Sequence, residues 1–152
     1  LPIVYASMTS AAHHAAFYGY AQVLEFLCYY FDVFVPDDQG RTPMWYAALR
    51  NNLDCVVLLV SMDARWLDVG DSRGDTPLHA STFANGRETL RFLLSCEANP
   101  DIANIEGLTP SHLARTPDAL EALYNAGATA YCVDEHSRIP LWLACKNGLA
   151  EV

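Results

Sequence analysis

The chain has 152 residues, of which 52% are hydrophobic and 18% charged, and its formal net charge at pH 7 is −9. This composition excludes a disordered chain, and the length fits one domain that can bury a core without disulfides or metal ions. The negative charge argues against polyanions as partners, and no hydrophobic run reaches the ~18 residues of a membrane-spanning helix, so we expect no nucleic-acid partner and no membrane insertion.

Five similar segments follow one another along the chain, each at the expected start of a helix. They are SAAHHAAFYG from Ser10, GRTPMWYAA from Gly40, GDTPLHAST from Gly74, GLTPSHLAR from Gly107 and SRIPLWLAC from Ser137. Aligned on Ser10, Thr42, Thr76, Thr109 and Ile139, the segments are spaced by 32, 34, 33 and 30 residues. So constant a period over the whole chain predicts a repeat protein.

A Thr-Pro pair predicts where the short first helix of a unit begins. Thr is a good N-cap because its oxygen accepts a bond from a free backbone N–H, and Pro at the next position has no N–H to leave unpaired. A glycine two residues before each pair predicts a turn with positive φ. The pairs are Thr42-Pro43, Thr76-Pro77 and Thr109-Pro110.

A second helix is predicted after a break at Gly or Asn, the residues that tolerate a left-handed backbone. The breaks fall at Gly19, Asn51, Asn85 and Gly148. Apolar residues then recur at helical spacing, for example at Leu90, Leu93 and Leu94. One pair of short helices cannot bury its own apolar face, so stacked pairs share a continuous core.

The last two units depart from this pattern. The fourth unit is three residues short, and we interpret Thr116-Pro117 as a second N-cap and N1 that start its second helix directly after a shortened first helix. In the fifth unit Ser137 replaces Gly and Ile139 replaces Thr, which predicts an altered turn. The chain begins at Leu1 rather than Met and ends at Val152 inside the fifth unit, so we expect a piece of a longer protein.

These features resemble the ankyrin-repeat family, whose 33-residue unit is a turn–helix–loop–helix with a TPLH start. The resemblance covers residues 5 to 152, with its best match from Asp71 to Asp101. It implies an all-α solenoid of stacked helix–loop–helix units joined by β-turn or hairpin loops. We expect one domain, 1–152, with units at about 5–36, 37–70, 71–103 and 104–133 and an incomplete unit at 134–152.

No signature of catalysis, cofactor binding or metal binding occurs, since P-loop, GxGxxG, GxSxG and HExxH patterns are all missing. We therefore expect no enzymatic activity, no cofactor and no metal site. His13, His79 and His112 share one repeat position with Trp45 and Trp142, which favours structural roles for the histidines and packing for the tryptophans. Five widely spaced cysteines without a CxxC pair predict buried free thiols in a reducing compartment, cytoplasmic or nuclear.

In ankyrin-repeat proteins, partners usually lie on the concave side, against the turn tips and first helices. By this resemblance the candidate partner-binding residues are Phe17, Tyr18, Gln39, Arg41, Trp45, Leu49, Arg50, Ser72, Arg73, Asp75, Phe83, Ile105, Glu106, Leu108, Glu135, His136 and Arg138. Lys146 and Asn147 occupy the equivalent helix end in the fifth unit.

Two features of this set have alternative interpretations. Its four arginines would bind an acidic or phosphorylated protein segment, because Arg makes bidentate contacts with carboxylates and phosphates, or they are solvated turn residues. They are Arg41, Arg50, Arg73 and Arg138. Phe17, Tyr18 and Phe83, together with Trp45, would form an aromatic anchor of the kind found at interfaces, or pack between repeats.

The fold class favours a non-catalytic protein-interaction module, a scaffold or adaptor. An alternative is a regulatory or substrate-recruiting segment of a larger enzyme, because similar repeats accompany kinases, GTPase-activating proteins and acyltransferases. A third is a structural spacer without a ligand. Fold alone does not choose among these functions, and the oligomeric state stays open.

Overall fold

The structure, a computed structural model, describes residues 11–146. Within those residues the chain is helical and contains no β-strand. Helix α1 includes residues 11–18. The further α-helices are α2 (Ala21–Tyr30), α3 (Pro43–Leu49), α4 (Leu53–Met62), α5 (Pro77–Phe83), α6 (Arg87–Ser95), α7 (Pro110–Leu113), α8 (Pro117–Asn125) and α9 (Pro140–Lys146). A short 3₁₀-helix, Ala64–Trp66, follows α4.

The helices form two layers that run the length of the stack. In one layer α3 packs against α5, α5 against α7, and α7 against α9, while in the other α2, α4, α6 and α8 pack in the same succession. The core contains fully buried apolar side chains, including Met44, Leu59, Leu78, Leu93 and Leu120. This arrangement confirms the predicted all-α solenoid of stacked helix–loop–helix units.

The predicted helix starts are confirmed at the Thr-Pro pairs. The hydroxyl oxygen of Thr42 accepts a hydrogen bond from the N–H of Trp45 at 3.3 Å. In the fourth unit the first helix has only four residues, and Thr116 caps the second helix through the N–H of Ala119 at 3.3 Å. The shortened unit therefore keeps both helices by using a second Thr-Pro start.

The breaks between first and second helices have the left-handed backbone predicted for them. Gly19, Asn51 and Asn85 have φ values of 77°, 55° and 56°. Gly148 lies outside the described residues, as does Asn147. The altered turn expected in the fifth unit is wrong, because Ser137 adopts a φ of 59° and fills the place of the glycine.

The tips of units two to five are short hairpins built in one way. In each tip the side-chain Oδ1 of an Asp or Asn residue accepts hydrogen bonds from two backbone N–H groups. In the third unit Asp71 Oδ1 accepts from Arg73 at 2.8 Å and from Asp75 at 3.0 Å. Backbone hydrogen bonds then join each tip to the next. They run from Ser72 N–H to the Gln39 carbonyl (2.8 Å), from Ile105 to Arg73 (2.8 Å) and from Glu135 to Glu106 (3.2 Å).

Two features differ from the sequence expectations. All five cysteines are free, but the prediction of buried thiols is confirmed only for Cys55. Cys28, Cys96 and Cys132 are half-buried, and the prediction is wrong for Cys145, which is exposed. The equivalent Ala48 is buried under the next unit, whereas no described residue covers this side of α9. The 3₁₀-helix is also unexpected, and its Trp66 stacks on Phe34 with ring centroids 5.5 Å apart.

Candidate functional site

The candidate site is the inner side of the stack, which consists of the tips (37–41, 71–75, 104–108 and 134–138) and the carboxyl ends of the first helices. The tip hydrogen bonds place the tips in one row, and each tip leads directly into a first helix. The candidate residues Gln39, Ser72, Ile105, Glu135 and His136 are exposed on this row, whereas Glu106 and Leu108 are half-buried.

Three of the four candidate arginines are engaged in ion pairs of the tips themselves. Arg41 Nη2 lies 2.9 Å from Asp37 Oδ2, and Arg138 Nε lies 2.6 Å from Asp134 Oδ2. Arg73 pairs with Glu106 of the next tip. Their positive charges are therefore compensated within the protein, and this part of the predicted arginine patch is not free for an anionic partner.

The ion pair of Asp37 with Arg41 holds two aromatic side chains beside the tip of the second unit. Tyr46 donates its hydroxyl proton to Asp37 Oδ2 at 2.8 Å, and the Arg41 guanidinium lies 4.8 Å from the Tyr46 ring and 5.6 Å from the Trp45 ring. Burial alone would raise the pKa of Asp37, but the hydrogen bonds from Arg41, Tyr46 and the backbone outweigh it and lower the pKa to about 2. Burial and the bond to Asp37 raise the pKa of Tyr46 to about 12.

Arg50 is the candidate arginine with a different environment. Its guanidinium lies 4.7 Å from the centre of the Phe17 ring, a cation–π contact between the first and second units. Arg115 repeats this arrangement on Phe83, at 4.5 Å, between the third and fourth units. Both side chains are exposed, and neither makes an ion pair with a carboxylate among residues 11–146.

Sequence reasoning missed Arg115 because the shortened first helix of the fourth unit obscured the alignment. Its position becomes evident only when α7 is seen to end at Leu113, which leaves Arg115 beside the exposed end of α5. In the fifth unit Lys146 lies 5.2 Å from the Trp142 ring. Trp142 is 47% exposed, so the packing prediction holds for Trp45 but is wrong for Trp142.

The structure brings together some of the aromatic residues that the sequence analysis grouped as an anchor or as packing between repeats. Phe17 contacts Tyr18 edge to face at 5.0 Å and contacts Tyr46 at 6.0 Å, while Tyr46 contacts Trp45 at 5.4 Å. The sequence analysis overlooked Tyr46, the residue that connects the others. Phe83 lies under Arg115 two units away, and Leu49 is packed against the core.

The shared His position is structural, as predicted. His79 accepts the backbone N–H of Thr76 at Nδ1 (3.1 Å), and its Nε2 lies 3.0 Å from the Leu108 carbonyl oxygen in the next unit. His13 and His112 make the same contact with the next tip. Trp45 cannot reproduce it, and its buried indole N–H has no hydrogen-bond partner among the described residues.

Comparison of the sequence with known protein families decides what kind of stack this is. A family model described as "Ankyrin repeats (3 copies)" matches residues 5–69, and one described as "Ankyrin repeat" matches residues 73–105. The chain belongs to the ankyrin-repeat family. The histidines that bond to the next tip, and the tips closed by an Asp or Asn side chain, thus form the inner framework of an ankyrin stack.

Several curated ankyrin-containing proteins are similar to this chain. The B-cell lymphoma 3 protein homolog of Mus musculus is 33% identical over 104 residues, covering 64% of this chain and 23% of that protein. Ankyrin repeat and SOCS box protein 16 of Homo sapiens is 31% identical over 129 residues, covering 80% of this chain and 27% of that protein. The chain spans about a quarter of the length of these relatives.

Ankyrin repeats and these relatives support a protein-interaction module. Within residues 11–146 no group of three or more His, Cys, Asp or Glu side chains is arranged to hold a metal ion. No helix in that part of the chain is long and apolar enough to cross a bilayer.

Proposed function

We propose that this ankyrin segment is a non-catalytic interaction module whose inner side binds an acidic segment of a partner protein. The observation that carries the proposal is the pair of cations Arg50 and Arg115, each held on a phenylalanine ring and without a carboxylate partner among the described residues. In a chain of net charge −9, two exposed and uncompensated cations on one side favour a negatively charged ligand.

The aromatic contacts prepare both arginines for binding. An Arg side chain has a large rotamer entropy, and a ring beneath the guanidinium restricts its motion before the ligand arrives. The ring contacts one face of the guanidinium plane, which leaves the N–H edge available for bidentate bonds to a carboxylate or phosphate. Phe17, Tyr18 and Tyr46 supply an apolar contact surface beside Arg50.

The stack also sets the length of the ligand. Neighbouring helices pack about 8–10 Å apart, so two unit steps separate Arg50 from Arg115 by roughly 16–20 Å. An extended chain advances about 3.3 Å per residue, so its two acidic side chains would be about five or six residues apart. We therefore expect an extended segment with two acidic or phosphorylated positions at that spacing.

A charge reversal with a matched control tests this proposal. Peptides from a displayed random library are selected on the chain, and their affinities are measured for wild type, for Arg50→Glu with Arg115→Glu, and for Arg87→Glu with Arg91→Glu on helix α6. Each loss of an Arg contact is expected to cost about 1 kcal/mol, so the first variant should bind roughly 30-fold more weakly. The control changes net charge equally and should bind as wild type, although it also removes the ion pair of Arg87 Nη2 with Asp118 Oδ2 at 3.1 Å, so its folding is checked by circular dichroism.

The selected peptides supply the other outcomes. Enrichment of paired Asp or Glu residues supports the acidic ligand, and replacing them by phosphoserine shows whether phosphate is preferred. Peptides without acidic residues, or an equal loss of affinity in both variants, would contradict the proposed site. Failure to select any peptide would favour a spacer, provided that circular dichroism shows both variants folded.

A second candidate function is the regulatory or substrate-recruiting segment of a larger enzyme. It is favoured by the length of the curated relatives, of which this chain spans about a quarter. The same inner side would then recruit the substrate, so the charge-reversed variant should lower turnover of the recruited substrate and leave that of a small substrate unchanged. For either function we expect a cytoplasmic or nuclear location, which five free cysteines favour.

A further inference from the structure

We propose that Tyr20, Val23 and Phe26, named here the end face of the first unit, receive another ankyrin unit stacked in the register that this chain uses internally. The proposal concerns a different surface from the inner side and does not depend on the acidic ligand. It rests on a comparison of equivalent positions in the successive second helices.

The contacts between units show which positions of a second helix face the preceding unit. At the N-cap of α4, Asn52 Nδ2 donates to the carbonyl oxygens of Ala16 at 2.7 Å and Phe17 at 2.9 Å. Three residues later, Cys55 Sγ lies 4.0 Å from the Ala15 carbonyl oxygen. The N-cap and the residue three positions after it are therefore stacking positions.

The same two positions face the preceding unit in α8. The N-cap Thr116 donates its hydroxyl proton to Asn85 Oδ1 of the third unit at 3.0 Å. The residue three positions later, Ala119, is 5% exposed, and its equivalents Cys55 and Thr89 are fully buried. Burial at this position is thus a regular consequence of stacking.

In α2 these positions are open. The N-cap Tyr20 is 59% exposed and Val23 is 51% exposed. Phe26 is 60% exposed, whereas its equivalent Phe92 is half-buried and packed against the core. The side chains of Tyr20, Val23 and Phe26 are therefore exposed at positions that are buried or half-buried in the following units.

Exposure elsewhere on α2 has a different origin. Tyr29 is 81% exposed, but its equivalents Ser61 and Ser95 are exposed too, so this position also faces solvent in the second helices of the second and third units. The same holds for Glu25 and its equivalent Val57. The end face is thus the part of α2 whose exposure departs from the repeat.

The chemistry of the end face fits the free end of an ankyrin unit. It carries no charged side chain, and Tyr20 has a hydroxyl donor at the position from which Asn52 and Thr116 donate to the preceding unit. The matching surface presents small residues and carbonyl oxygens at the end of a first helix, as Ala15, Ala16 and Phe17 do for α4. An ankyrin unit supplies both groups, and burying three apolar side chains favours its docking.

A fusion of the chain with one of its own units tests the proposal. A copy of residues 71–103 is placed directly before residue 5, where the family match begins. This unit is chosen because its free end already receives Thr116. In hydroxyl-radical footprinting, oxidation of Tyr20 and Phe26 should fall several-fold in the fusion, while Tyr29 and Tyr131, which is 84% exposed, react as in the unfused chain.

Stability gives an independent readout with a matched substitution. The fusion should raise the urea midpoint of the chain, and Val23→Asp should abolish that gain while changing the unfused chain little. Val57→Asp, at an exposed position of α4, should leave the gain intact. Unchanged oxidation of Tyr20 and Phe26 in a folded, monomeric fusion would refute the stacking face. Concentration-dependent dimerisation of the unfused chain that protects the same residues would make a second copy the occupant and overturn the proposal.

Discussion

Replacing His79 by Ala should remove the connection between the third and fourth units at a single point. His79 is 1% exposed and accepts the N–H of Thr76 at Nδ1, so the proton of the neutral ring lies on Nε2 and is donated to the Leu108 carbonyl at 3.0 Å. The substitution leaves the buried N–H of Thr76 without a partner, while the Leu108 carbonyl loses the bond from the ring and keeps the bond from the Asn104 N–H at 2.9 Å.

The expected cost follows from the unpaired N–H. A buried polar group that loses its partner costs about 1–3 kcal/mol, so the Thr76 N–H predicts a loss of about 2 kcal/mol in the free energy of unfolding. Domains have a total stability of only about 5–15 kcal/mol, so the effect is large. Urea unfolding followed by circular dichroism measures it. His136→Ala is the control, because His136 is an exposed tip residue and should change stability by less than ~0.5 kcal/mol.

The effect of His79 should also depend on pH in a defined direction. Burial lowers the pKa of His79 below its ordinary value of 6.5, because the interior disfavours the charged ring. The unfolded chain then takes up the proton first as the pH falls, so the stabilisation is complete above pH 6.5 and declines below it. The stability difference between wild type and His79→Ala should therefore be smaller at pH 5 than at pH 7.5. A larger difference in acid, or a loss below about 1 kcal/mol at neutral pH, would refute the role assigned to the ring.

Two further predictions concern the tips. Gly74→Ala should destabilise the chain more than Gly127→Ala. Both residues have positive φ, but only a methyl group at Gly74 would lie 3.2 Å from the backbone of the next tip, at Asn104. Equal urea midpoints for the two variants would show that this close approach does not affect stability. Hydrogen bonds hold the pKa values of Asp37 and Asp134 at about 2 against an ordinary 3.8, so stability should fall as the pH drops from about 4 to about 2. The Asp134→Asn variant should lose part of this pH dependence. An acid transition identical to that of wild type would contradict the stabilising role of the Asp134 carboxylate.

The sequence predicts the fold well because its signals are local. Thr and Pro at a helix start, and Gly or Asn at a left-handed break, each act within a few residues of the chain. This is why the second helix of the shortened fourth unit could be placed from Thr116-Pro117 alone. Ser137 was misjudged because a serine can adopt positive φ when the surrounding hairpin imposes it, as Asp134 does here by accepting the Arg138 N–H.

The candidate site was harder to predict because its properties depend on distant residues. Arg73 is paired with Glu106, 33 positions away, and no local pattern distinguishes it from Arg50, which has a phenylalanine ring instead. Trp66 and Phe34 likewise meet only after the units stack. Charge compensation is a property of the packed structure, so the repeat positions of the arginines could not show which of them are paired.

The repeat itself separates structural from functional positions. Some positions have the same structural role in each described tip, as the Asp or Asn residue that closes the tip does. Hydrogen bonds within the protein occupy such a side chain, so it is not available to a ligand. Arg50 has Ala84 as its equivalent in the third unit, and Val23 is open where Cys55 is buried. A stack needs identical contacts at each interface, so side chains that break the repetition are free of that constraint. The inner cations and the end face are both such exceptions, which is the physical reason for placing partner binding on them.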